Sequence, residues 1–115
     1  MPSQLEFVQF AAEQLQDAGH ITYRKMFGDY GIYCDGKIFG LICDNQLFVK
    51  ITDPGRQFAP DLETAPPYGG AKPHFLIADV DNKAFLTEFV RITCAALPAP
   101  KPKKKKPTNK ITGNQ

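Results

Sequence analysis

The side chains able to do chemistry in this 115-residue chain are few and scattered. His20 and His74 each stand away from any Cys, Asp or Glu at a spacing that would complete a metal site or a nucleophilic triad, and surface or loop histidines are the default reading. Cys34, Cys43 and Cys94 are odd in number and match no metal-ligand spacing. A core of this size folds without disulfides, so they read as reduced, packed thiols. Cys34 abuts the Asp35-Gly36 turn, but a reactive thiolate needs a neighbouring cation or a helix N-terminus, and only Lys37 is close in sequence. Gly28-Asp29-Tyr30-Gly31 lacks the spacing of a phosphate-cradling loop and does not lead into a helix, so it reads as a tight turn between strands. Neither an H-E-x-x-H nor a G-x-S-x-G motif is present. The sequence therefore assigns no catalytic residue, no cofactor and no metal, and points to a protein that binds rather than catalyses.

Charge is divided sharply along the chain. Residues 1–97 hold eight Lys and Arg against twelve Asp and Glu, whereas residues 98–115 hold six Lys and no acid. Lys101, Lys103, Lys104, Lys105 and Lys106 are the candidate nucleic-acid-binding residues, acting on phosphates without reading sequence. A solubilising tail is the plainer account of the same run. Arg24 and Lys25 alternate to opposite faces if they lie in a strand, so they read as a solvated edge. The amino terminus carries no basic segment followed by an apolar one, and no stretch approaches the ~18 apolar residues of a membrane span. The expectation is a soluble, cytoplasmic protein with no membrane partner.

The elements that would position these groups follow from periodicity. Ser3 and Glu6 form a capping-box pattern, and Leu5, Val8, Ala12 and Leu15 recur at helical spacing until Gly19, which predicts a helix over about 4–17. From Ile21 the period becomes two, with turn signals at Asp35-Gly36 and Asp44-Asn45. This predicts strands over 21–27, 30–34, 37–43 and 46–51. Asp53-Pro54 predicts a short helix over 54–59, and Pro66 to Gly70 an irregular loop. A short strand over 74–78 and a helix from Asp81 to Pro98 complete one domain, 1–97. The Pro- and Lys-dense residues 98–115 cannot offset the ordering entropy of folding and predict a flexible arm.

A two-residue turn at Asp35-Gly36 pairs Cys34 with Lys37, Ile32 with Phe39 and Tyr30 with Leu41, and sets Gly31 opposite Gly40. That register gives Tyr33, Ile38, Ile42, Leu47, Val49 and Ile51 to the helix-covered face. Tyr30, Ile32, Phe39, Leu41 and Phe48 then form an apolar face that a two-layer domain cannot cover, and these five are the candidate protein-binding residues. Their cover would be a second copy in a homodimer, or a third layer made by the tail or the 66–73 loop.

The segment from Arg24 to Lys50 resembles the N-terminal domain of the TfoX/Sxy competence regulators. The resemblance is carried by Met26, Phe27, Gly28, Tyr30, Gly31, Ile32, Tyr33, Asp35, Gly36, Phe39, Leu41, Asp44 and Lys50. Asp29 stands where the family pattern has a second glycine. Residues 54–97 match by layout, through Pro67-Tyr68, Lys72-Pro73 and the last helix. The resemblance implies an α+β two-layer sandwich with an antiparallel sheet of about five strands and helices at both ends, similar to the type III secretion chaperone fold. It also implies a non-enzymatic regulatory or adaptor module linked, through protein contact, to transcription of competence-type genes. Full-length regulators carry a second helical domain, so the resemblance is to stand-alone members. The alternative is a nonspecific nucleic-acid-associated protein that uses the lysine tail.

Overall fold

The computed structural model describes residues 3–26 and 28–98. In chain order the elements are α1 (Leu5–Leu15), a 3-10 turn (Gln16–Ala18), β1 (Ile21–Met26), β2 (Asp29–Cys34), β3 (Lys37–Cys43), β4 (Gln46–Val49), α2 (Asp53–Phe58), β5 (Thr64–Ala65), β6 (His74–Ile77) and α3 (Lys83–Ala96). The strands form one open antiparallel sheet in the order β1-β2-β3-β4-β6-β5. The fold is thus the expected α+β arrangement with helices at both ends, but with six strands. The additional strand, β5, has two residues in a Pro-flanked segment without strand periodicity.

Turn chemistry fixes the meander. Asp35 (φ 52°) and Gly36 (φ 84°), and Asp44 (φ 53°) and Asn45 (φ 57°), all take left-handed backbone, as two-residue hairpins matched to strand twist require. Asp29 adds a long-range tie. Its carboxylate accepts from the Ser3 amide (3.1 Å) and the Asp44 amide (2.9 Å). Ser3 itself does not cap α1, as the sequence suggested. Its hydroxyl accepts from the Asn45 amide (2.9 Å), and α1 begins after Gln4 without a side-chain cap. The short helix likewise starts one residue early, because Thr52, not Asp53, caps it by accepting from the Gly55 amide at 3.1 Å.

The core lies on one side of the sheet. Val8, Ala11 and Leu15 of α1 and Leu86, Phe89 and Val90 of α3 pack with Ile32, Phe39, Ile42, Leu47, Val49, Phe75 and Ile77. Phe58 of α2 stacks on Phe85 and Phe89 with ring centroids 5.7 and 6.3 Å away, and Phe75 meets Phe89 edge-on at 5.5 Å. The buried stripe of α3 is Leu86, Phe89, Val90, Thr93 and Cys94, with Ile92 half-buried and Ala96 exposed. Thr93 is tolerated there because its hydroxyl donates to the Phe89 carbonyl at 2.9 Å.

The expected register holds only next to the turn. Cys34 pairs with Lys37 and Tyr33 with Ile38, but Ile32 then pairs with Gly40, Gly31 with Leu41 and Tyr30 with Ile42. Phe39 is the extra residue of a β-bulge, and beyond it each pairing slips by one. Gly31 and Gly40 therefore do not face each other. A Cβ on Gly40 would run into the Phe48 carbonyl oxygen, whereas one on Gly31 would meet the movable ends of Met26 (Sδ, 2.9 Å) and Ile38 (Cδ1, 3.2 Å). Gly40→Ala should accordingly destabilise the chain by about 1–3 kcal/mol, and Gly31→Ala by less than about 1 kcal/mol. Urea unfolding of both variants checks this, and equal losses would contradict the bulge.

Candidate functional site

The bulge redistributes the five candidate binding residues. Ile32 and Phe39 are fully buried in the core, and Tyr30 packs against it with its ring edge-on to Tyr23 at 6.0 Å. Leu41 and Phe48 pair directly and, with Leu76 beside Phe48, lie on the helix-free side. The expected face is therefore corrected. Alternation from the turn is broken at Phe39, so Ile32 and Phe39 join Ile42, Leu47 and Val49 under the helices, while Tyr33 and Ile38 move to the other side.

The helix-free face thus consists of Met26, Tyr33, Ile38, Leu41, Phe48 and Leu76. All are half-buried except Phe48, which is 3% exposed and lies outside the contiguous core. The Arg24 guanidinium sits 5.9 Å over the Tyr33 ring at its β1 margin. Lys25, by contrast, pairs with Tyr30 and belongs to the opposite face, so the alternation expected of these two cations is observed. Of this face, the sequence singled out only Leu41 and Phe48. Gly40 was the available signal for the rest, because a glycine inside a strand often marks a bulge or a close backbone approach. Lys101 and Lys103 to Lys106 lie outside the described residues, as does Phe27.

The groups considered for chemistry are otherwise engaged. Among the described residues no cluster of three or more His, Cys, Asp or Glu could hold a metal ion. The Asp29 carboxylate of the Gly28-to-Gly31 turn is spent on the Ser3 and Asp44 amides, and His74 Nδ1 lies 2.9 Å from the Lys72 carbonyl. Cys34 and Cys94 are buried neighbours, the Cys34 thiol donating to the Ala18 carbonyl at 3.8 Å, and Cys43 is half-buried. Burial pushes all three thiols up, Cys94 to about 12, with the Cys34 neighbour adding to the effect. Raised thiols hold their protons, which is the opposite of what a nucleophilic cysteine needs. Lys37, the cation closest to Cys34 in sequence, instead donates to the Cys94 (2.8 Å) and Leu97 (3.1 Å) carbonyls and caps the end of α3.

An open antiparallel sheet with helices packed on one face defines a small α+β domain. Its family is also shown by sequence comparison: the chain belongs to the TfoX N-terminal domain family, whose profile matches residues 13–98, from within α1 to just past α3. It is similar to a protein of Spirochaeta aurantia described as an uncharacterized 12.7 kDa protein in the trpE 5′ region, 38% identical over 107 residues that span 92% of this chain and 93% of that protein. No helix among the described residues is long and apolar enough to cross a membrane.

The thiol geometry carries a pH prediction. An unfolded thiol ionises near 9.0 whereas folded Cys94 holds its proton to about 12. The folded state therefore binds more protons between those values, and its stability falls as pH rises through them. Urea midpoints at about pH 8 and about pH 10.5 should show a larger drop for the native chain than for Cys94→Ala. Equal drops would mean that Cys94 titrates normally.

Proposed function

We propose that the chain is a non-enzymatic regulatory or adaptor module that works by protein contact through its helix-free sheet face. The observation that carries this reading is the apolar surface formed by Tyr33, Ile38, Leu41 and Leu76, which the described helices leave uncovered. Family membership supports it, because this domain family is a regulatory one of the competence-regulator type. The surface fits a partner protein presenting an apolar face, or a second copy of the chain. Arg24 beside Tyr33 supplies the aromatic and cationic margin typical of contact hot spots. A link to transcription of DNA-uptake genes is the finer form of the proposal.

A second reading, nonspecific binding of nucleic acid through Lys101 to Lys106, is favoured by the concentration of six lysines without an acid in residues 98–115. The two readings make opposite demands on mutants. Tyr33→Glu with Leu41→Lys should abolish self-association seen by light scattering, or weaken a purified partner at least about tenfold, without changing affinity for duplex DNA. Replacing Lys103 to Lys106 with Gln should leave protein contact intact and remove any DNA affinity that declines between ~50 and ~200 mM salt. Protein contact that survives the face substitutions would sink the first reading.

A further inference from the structure

A groove opens between residues 61–63, the end of β6 and the first turn of α3. Its apolar wall is made by Leu62, Leu76 and Phe85, its rim carries Asp61, Glu63 and Asp79, no Lys or Arg lines it, and its volume is about 430 Å³. All three carboxylates are exposed. The hollow over Cys34 and Cys94 is different, because Lys37 and Arg91 line it and would repel a cation.

We propose that this groove is the docking site of the chain's own lysine run, Lys103 to Lys106. The match is chemical first. A lysine offers a four-carbon apolar stem ending in an ammonium group, and the groove offers an apolar wall ending in carboxylates. The N-terminal end of α3 disfavours cations, and the carboxylates of Asp61, Glu63 and Asp79 act against that effect. The match is also one of reach. From Leu97 back to Phe85 the chain descends twelve helical residues, about 18 Å at 1.5 Å each. Lys103 to Lys106 follow Pro98 by five to eight residues, and a chain can span at most about 3.3–3.6 Å per residue, so their contour length is sufficient for that distance. Tethering then holds the lysines near the groove at an effective concentration on the order of millimolar, enough for a weak contact to be populated.

Lysines held in this way are withheld from phosphates, so the groove acts as an internal competitor for any polyanion. Leu76 belongs both to the groove wall and to the margin of the helix-free face, so the test uses lysine and carboxylate variants that leave Tyr33, Ile38 and Leu41 untouched.

Amide spectra of the ¹⁵N-labelled full chain test it against the variant with Lys103, Lys104, Lys105 and Lys106 all changed to Gln. Shifts should differ chiefly at Leu62, Glu63, Ala78 and Asp79, and the difference should collapse near ~1 M salt, where the Debye length is about 3 Å. The differences should also be the same at about 50 μM and about 500 μM protein, as an intramolecular contact requires. Unchanged groove amides would overturn the proposal, and so would a strong concentration dependence, which would assign the contact to a second copy's tail. In a second measurement, D61N/E63Q/D79N should raise affinity for heparin about threefold or more by freeing the lysines. These exposed positions tolerate isosteric change, and an unaltered affinity with native spectra would count against the site.

Discussion

The extra residue at Phe39 governs the whole arrangement. Without it, the register set by the Asp35-Gly36 turn would put Ile32 and Phe39 on one face of the sheet and Ile42, Leu47 and Val49 on the other, dividing the apolar set in two. With it, all five are fully buried in one core under α1 and α3. A bulge disturbs one step of the ladder, a net loss of about 0.5–1.5 kcal/mol if a hydrogen bond is forfeited. Burying a side chain such as Phe39 or Ile32 returns about 1.5–3 kcal/mol each. Hydrophobic burial therefore outweighs ladder regularity, and Gly40 is needed next to the bulge because the Phe48 carbonyl occupies the space a side chain would take.

That gain on one side leaves a second, half-buried apolar face on the other. Once the strands commit Ile32, Phe39, Ile42, Leu47 and Val49 to the helices, their neighbours Tyr33, Ile38, Leu41 and Phe48 must point away, because side chains alternate along each strand. The helix-free face is thus a consequence of how the core is assembled. Its persistence in a chain with enough charged residues to cover it is the physical reason to read it as a contact surface. The Asp29 tie helps hold this geometry by joining the segment before α1 to the β3–β4 turn across the end of the sheet.

Most of the fold was legible because its signals are local. The Asp35-Gly36 and Asp44-Asn45 turns, the helical spacing of Val8 and Leu15 and the return of that spacing at Phe85 each specify structure within a few residues. The face assignment was not legible for a definite reason. Residues 38–42 read Ile-Phe-Gly-Leu-Ile, apolar in both alternations, so the pattern permits either register and only tertiary burial selects one. The caps failed similarly: Ser3 matches a capping box in sequence, but a β-turn 42 residues away competes for its hydroxyl and prevails. A two-residue strand such as β5 has too few positions to display any period.

The separation of roles across the molecule bears on how such a domain could be regulated. The apolar face centres on β2 to β4 and meets the acidic groove at Leu76 of β6, and Lys37 fixes the last turn of α3, which precedes the lysine-rich segment in sequence. Apolar contact is little affected by salt, whereas lysine–carboxylate and lysine–phosphate contacts are screened over about 8 Å at physiological ionic strength. A partner on the proposed sheet-face site and a polyanion on the proposed lysine site would therefore respond to different conditions within one 115-residue chain. In the proposed arrangement the groove and a polyanion would compete for the same lysines, and polyanion binding would vacate the groove without disturbing the core. The two proposed contacts would then be governed by different conditions in a domain too small for two cores.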